Sequence, residues 1–165
     1  MVHYDMPTVT VTAIQAIQAI LAPAVGISAV GLLLLGLLNR YSNVFNRIRL
    51  LNDEMRKLRR IIGDMPGGLE SSDNIRYANV RKQTEELLLR ASLLRNSILS
   101  LQVSVGLFVL ASIAIGLNLF TTEGTVEIFA LAVFLLGMLG VFVGIVFAAR
   151  EIHRSFKIVL MEVKA

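Results

Sequence analysis

The chain has 165 residues, 55% hydrophobic and 17% charged, with a formal net charge of +4 and a mean hydropathy of +0.70. Charged residues make up about a quarter of an ordinary soluble domain, so this composition points to a membrane. The chain has no Cys and only two His, His3 and His153, far apart in sequence, which excludes disulfides, thiolate catalysis and the usual metal-ligand spacings.

Residues 1–12, "MVHYDMPTVTVT", carry no Lys or Arg and are assigned as an external N-terminus. Residues 13–38, "AIQAIQAILAPAVGISAVGLLLLGLL", contain no charge. About 20 apolar residues cross roughly 30 Å of hydrocarbon as a helix, so this run is the first transmembrane helix, TM1. It lacks the basic n-region of a signal peptide and exceeds the usual apolar core, so it is expected to be retained. Gln15 and Gln18 are three apart and share one side of a helix. Counting back about 20 residues from Leu38 puts Gln18 near the outer boundary and Gln15 one turn beyond it. Pro23, one turn inside, cannot bond to the Ala19 carbonyl, which predicts a kink or break. Thr8 to Leu21 is then either a separate interfacial helix or a cap continuous with the span.

Residues 39–62 change pattern. Tyr41, Val44, Ile48, Leu51, Met55, Leu58 and Ile62 recur in alternating steps of three and four, with Arg47, Arg49, Asp53, Glu54, Arg56 and Lys57 on the other faces. Residues 63–74 hold Gly, Pro, Ser and Asp, which is loop chemistry. Residues 75–100 repeat the seam with Tyr77, Val80, Thr84, Leu87, Ala91, Leu94 and Ile98. Two matching heptad seams flanking one loop predict an antiparallel helical hairpin. Each arm of about 22 residues reaches about 33 Å. No Pro or Gly separates either seam from its neighbouring apolar run, so two rods are expected, part membrane and part aqueous. Leu88, Leu89 and Leu93 widen the second arm's apolar face, the mark of a further partner.

Residues 101–120 form TM2, residues 121–127 an external loop, residues 128–149 TM3 and residues 150–165 a C-terminal helix. Gly140, Gly144 and Ala148 lie four apart on TM3, with Gly137 beside them, and such small-residue ridges let helices approach closely in lipid. Ser97, Ser104, Ala111 and Asn118 recur every seven residues on the second rod, a packing stripe first and a lumen lining second.

All 16 Lys and Arg fall between Arg40 and Arg95 or between Arg150 and Lys164. The positive-inside rule puts these regions in the cytoplasm and Asp5, Glu123 and Glu127 outside.

Other motifs carry bland readings. "MRKLRR" reads as a solvated helix face that also sets topology, with anionic lipid as the next reading. No aromatic platform accompanies it, so nucleic acid is not expected as a partner. "GDMPGG" lacks the Gly-Lys-Ser/Thr ending and the preceding strand of a phosphate loop. His153 reads as an interfacial anchor before a pH sensor. No cofactor or catalytic signature is found, and no span holds an ionisable residue, so no enzyme is expected.

"ILAPAVGISAVGLLLLGLLNRYSNVFNRIRLL" and "LLLRASLLRNSIL" resemble the signature blocks of small bacterial inner-membrane proteins grouped as a domain of unknown function, common in cyanobacteria and proteobacteria. The likeness covers about residues 14–150. It implies three spans and a bacterial origin, and no activity, cofactor or residue role.

The expected molecule is an all-α, three-span protein of the bacterial inner membrane with a cytoplasmic hairpin, assembled as a homo-oligomer. The leading expectation for function is an ion- or small-solute-conducting pore. Its outer mouth would carry Gln15, Gln18, Asp5, Glu123 and Glu127, with Leu33 or Leu34 gating by dewetting. The alternative is a structural or adaptor protein whose hairpin binds a cytoplasmic or membrane partner.

Overall fold

The computed structural model describes residues 13–64, 71–118 and 124–163, with side chains described over 17–60, 75–118 and 124–153. Three α-helices account for all of them: α1 (Ala13–Asp64), α2 (Ser71–Asn118) and α3 (Gly124–Val163), and no strand occurs among the described residues. Each contains a stretch long and apolar enough to cross a membrane.

The charged arm and the apolar run of each rod form one helix. α1 continues through 52 residues, about 78 Å at 1.5 Å per residue. It passes through Pro23 without interruption, so the break allowed for at that residue does not occur, and residues 13–21 are the first turns of α1. A proline is tolerated inside a lipid-spanning helix where neighbouring helices pack around it. Pro23 is fully buried, one turn from Gly26, which itself lies against Phe108 of α2.

α2 is the central helix. α1 and α3 both pack along it and scarcely touch each other. At the charged end, Arg76 of α2 donates to Glu54 of α1 at 2.7 Å. Further along, Ile48 packs with Leu87 and Ala91, flanked by Tyr41, Val44 and Leu51. Leu58, Val80, Leu94 and Ile98 are also buried, and Met55 is half-buried. Among the apolar runs, Val30, Leu101 and Phe108 form a second core with Ile27, Leu34, Leu37 and Phe134 against it. The Ile62 side chain and the segment 65–70 lie outside the described residues.

Apolar burial supplies little drive between helices in lipid, so close packing and hydrogen bonds carry more of the association. The α2–α3 contact shows both. A Cβ added at Gly144 would stand 2.9 Å from Leu101 Cδ2, and one at Gly137 would stand 2.7 Å from the Phe108 ring. At Gly140 it would collide with Ser104 Oγ. Ser97 Oγ donates to the Gly144 carbonyl at 2.6 Å, and Ser100 Oγ to the Gly140 carbonyl at 2.8 Å. Helix backbones approach closely enough for these bonds because the facing residues have no side chain.

Candidate functional site

Where the apolar runs give way to charge, the three helices meet at one carboxylate. Glu151 lies two residues beyond the apolar run of α3, and its side chain is only 4% exposed. A carboxylate this buried is costly unless paired and hydrogen-bonded. Arg90 of α2 supplies the pairing, with Nε at 3.1 Å and Nη2 at 2.9 Å from Oε1. Two donors of one guanidinium on a single carboxylate oxygen hold both side chains in place. The other oxygen, Oε2, is 3.9 Å from Arg40 Nη1 on α1. Arg40 is 57% exposed, so its contact is looser and water screens it.

Beside this junction is a cleft of about 330 Å³, lined by Arg40, Asn43, Val44, Arg90, Glu151 and Ile152. Two guanidiniums face one carboxylate there, which leaves the cleft net positive. A second cleft, of about 430 Å³, opens between the charged arms of α1 and α2, lined among others by Arg56, Arg59, Tyr77, Arg81 and Leu88. Leu88 and Leu89 are 51% and 58% exposed.

The expected pore-mouth residues are only partly described. Gln18 is exposed near the start of α1, and Glu127 is exposed in the first turn of α3. No hydrogen bond or ion pair joins these two among the described residues. Asp5, Glu123 and the Gln15 side chain lie outside the described residues. Leu33 is exposed and Leu34 packs on the Val30 core. Of the serine stripe, Ser97, Ser104 and Ala111 are fully buried and Asn118 is half-buried. Gly137, Gly140 and Gly144 lie against α2, while Ala148 is half-buried. Among the described residues no group of His, Asp and Glu can hold a metal ion.

In the sequence, "REIHR" draws attention to His153 and not to Glu151. A signal was present: Arg40 and Glu151 are opposite charges, each placed where an apolar run ends. Arg90, 61 residues from Glu151, is one of four Arg on its arm, and nothing in the local pattern singles it out.

No curated protein and no solved structure matches the chain. The family model described as "Protein of unknown function (DUF2721)" matches residues 20–161, which include most of the first apolar run, the whole of the other two, both charged arms and the whole Arg40–Arg90–Glu151 junction. The blocks that suggested a small three-span family lie within that match, and the chain belongs to the DUF2721 family.

Proposed function

We propose that the protein is a structural or adaptor protein of the bacterial inner membrane, with an antiparallel helical hairpin presented to the cytoplasm for a partner. The N-terminus is outside and the C-terminus inside, in keeping with the confinement of Lys and Arg to two regions. One observation carries the choice of adaptor. The stripe of small and weakly polar residues in the spans is largely taken up by packing, with Ser97 and Ser104 fully buried and Ser97 and Ser100 bonded to α3 carbonyls. Most large exposed side chains along the spans are apolar, such as Leu32, Leu35, Leu110, Ile113 and Phe142, which suits lipid, and the exposed Gln18 and Gln102 lie near span ends. On the charged arm, by contrast, Leu88 and Leu89 remain open next to basic residues, which suits a protein partner.

A photo-crosslinking residue at Leu88 in the full-length protein, irradiated in native membranes, tests this. A single stoichiometric protein adduct is expected, absent from a control with the probe at Leu110. Equal and diffuse labelling at both positions would end the adaptor reading.

The pore is the second reading, and the exposure of the α1 span favours it. Only 11% of its most apolar window is buried within the chain, so a second copy has room to cover it. A homo-oligomer serves either reading. Current across planar bilayers containing the purified protein would select the pore, and silence across voltage, pH and tension would remove it.

A further inference from the structure

We propose that the cleft at the three-helix junction is a binding site for a phosphate group, and that Arg40 and Asn43 are its main ligands. Arg90 is committed to Glu151 through two bonds to one oxygen. Arg40 is not: its distance to Oε2 is 3.9 Å and more than half of its side chain is open. Its guanidinium presents the planar fork of donors that matches a phosphate. Asn43, on the next turn of α1, lines the same cleft and brings an amide donor to it. Glu151 offsets one of the two guanidiniums and keeps Arg90 fixed, so the remaining positive charge falls on the exposed Arg40.

The height of the cleft favours one source of phosphate. Arg40 is the first charge after the apolar run of α1, and Glu151 follows the apolar run of α3 by two residues. This is the level of lipid headgroups on the basic face, where pockets between helices hold anionic lipids. Ile152, half-exposed, forms part of the cleft wall, and the exposed Leu33 and Ile145, seven residues before Arg40 and Ile152 and so on the same helix faces, offer apolar surface toward the membrane interior. An acyl chain leaving the headgroup would follow that surface. A free phosphate would use the same Arg and Asn donors but would gain nothing from that apolar surface.

Native mass spectrometry of the detergent-purified full-length protein tests the site with three probes: phosphatidylglycerol, phosphatidylcholine and inorganic phosphate. Phosphatidylglycerol is expected to be retained over phosphatidylcholine, and R40Q to weaken that retention about fivefold, as expected for one basic contact. N43L should weaken it as well. R59Q removes the same charge from the other cleft and should leave retention unchanged. Competition by inorganic phosphate that R40Q abolishes would keep the site and reassign its source to the soluble ion. Equal retention of the two lipids, or equal loss in R40Q and R59Q, would overturn the proposal. Arg40 is exposed and only loosely paired, so circular dichroism and elution volume of R40Q should match the parent protein.

Discussion

Glu151 gives the sharpest test at the scale of single residues, because its two partners differ so much in burial. Glu151→Gln leaves Arg90 without its anion in a site only 29% exposed, and about 2 kcal/mol of stability should be lost. Arg40→Gln should cost under about 0.5 kcal/mol, since exposed pairs contribute little. Thermal unfolding in one detergent, with all variants run side by side, checks the order. Near-equal losses would mean that Arg40 is held more firmly than its 3.9 Å separation indicates. The glycines offer an independent comparison. Gly144→Leu must move Leu101 or shift α3, and overpacking of this kind costs about 1–3 kcal/mol. A Cβ added at the exposed Gly106 meets nothing within 4 Å, so Gly106→Leu should be tolerated in the same assay. The ridge of small residues was legible as a periodicity, whereas the residues facing it, Leu101, Ser104 and Phe108, were not. Spacing reports a face, and only the register between helices reports its neighbour.

At the scale of the element, α1 and α2 are each a continuous helix whose surroundings change from apolar to charged along its length. That continuity was readable, because no breaker separates either seam from its apolar run. Pro23 is the exception, since α1 continues through it. Local chemistry asks for a break there, but in lipid a freed carbonyl can be re-satisfied by packed neighbours, and lost helix has no water to receive it. The charged arms lead to a prediction of their own. Leu88→Glu and Leu89→Glu should leave the melting temperature within about 1 °C of the parent, because neither side chain is buried. The same substitutions should abolish the photo-adduct expected from the arm. A large fall in melting temperature would place these leucines in a contact within the protein's own assembly.

For the whole molecule, the absence of cysteine makes topology directly testable. Single substitutions Asp5→Cys, Glu123→Cys and Arg59→Cys can be probed in intact cells with an impermeant maleimide. Labelling is expected at the first two positions, and at Arg59→Cys only after permeabilisation. The opposite pattern would invert the orientation and put the junction cleft on the outer face. The packing of both outer helices on α2 leaves the span of α1 the least covered of the three. Light scattering on the detergent-solubilised protein should therefore give a protein mass of more than one chain. A strictly monomeric mass would leave lipid as the cover of that face.

Composition, charge placement and periodicity by themselves determined the three apolar helices, the heptad seams and the glycine ridge. All of these follow from local rules: the length needed to cross hydrocarbon, the helical repeat, and the cost of burying charge in lipid. Tertiary structure alone decided that α2 is central, that the serine stripe is packed against α3, and that Glu151 is shared between Arg90 and Arg40. Those outcomes depend on axial register between helices, which brings together residues as many as 61 positions apart and leaves no periodic trace in the chain.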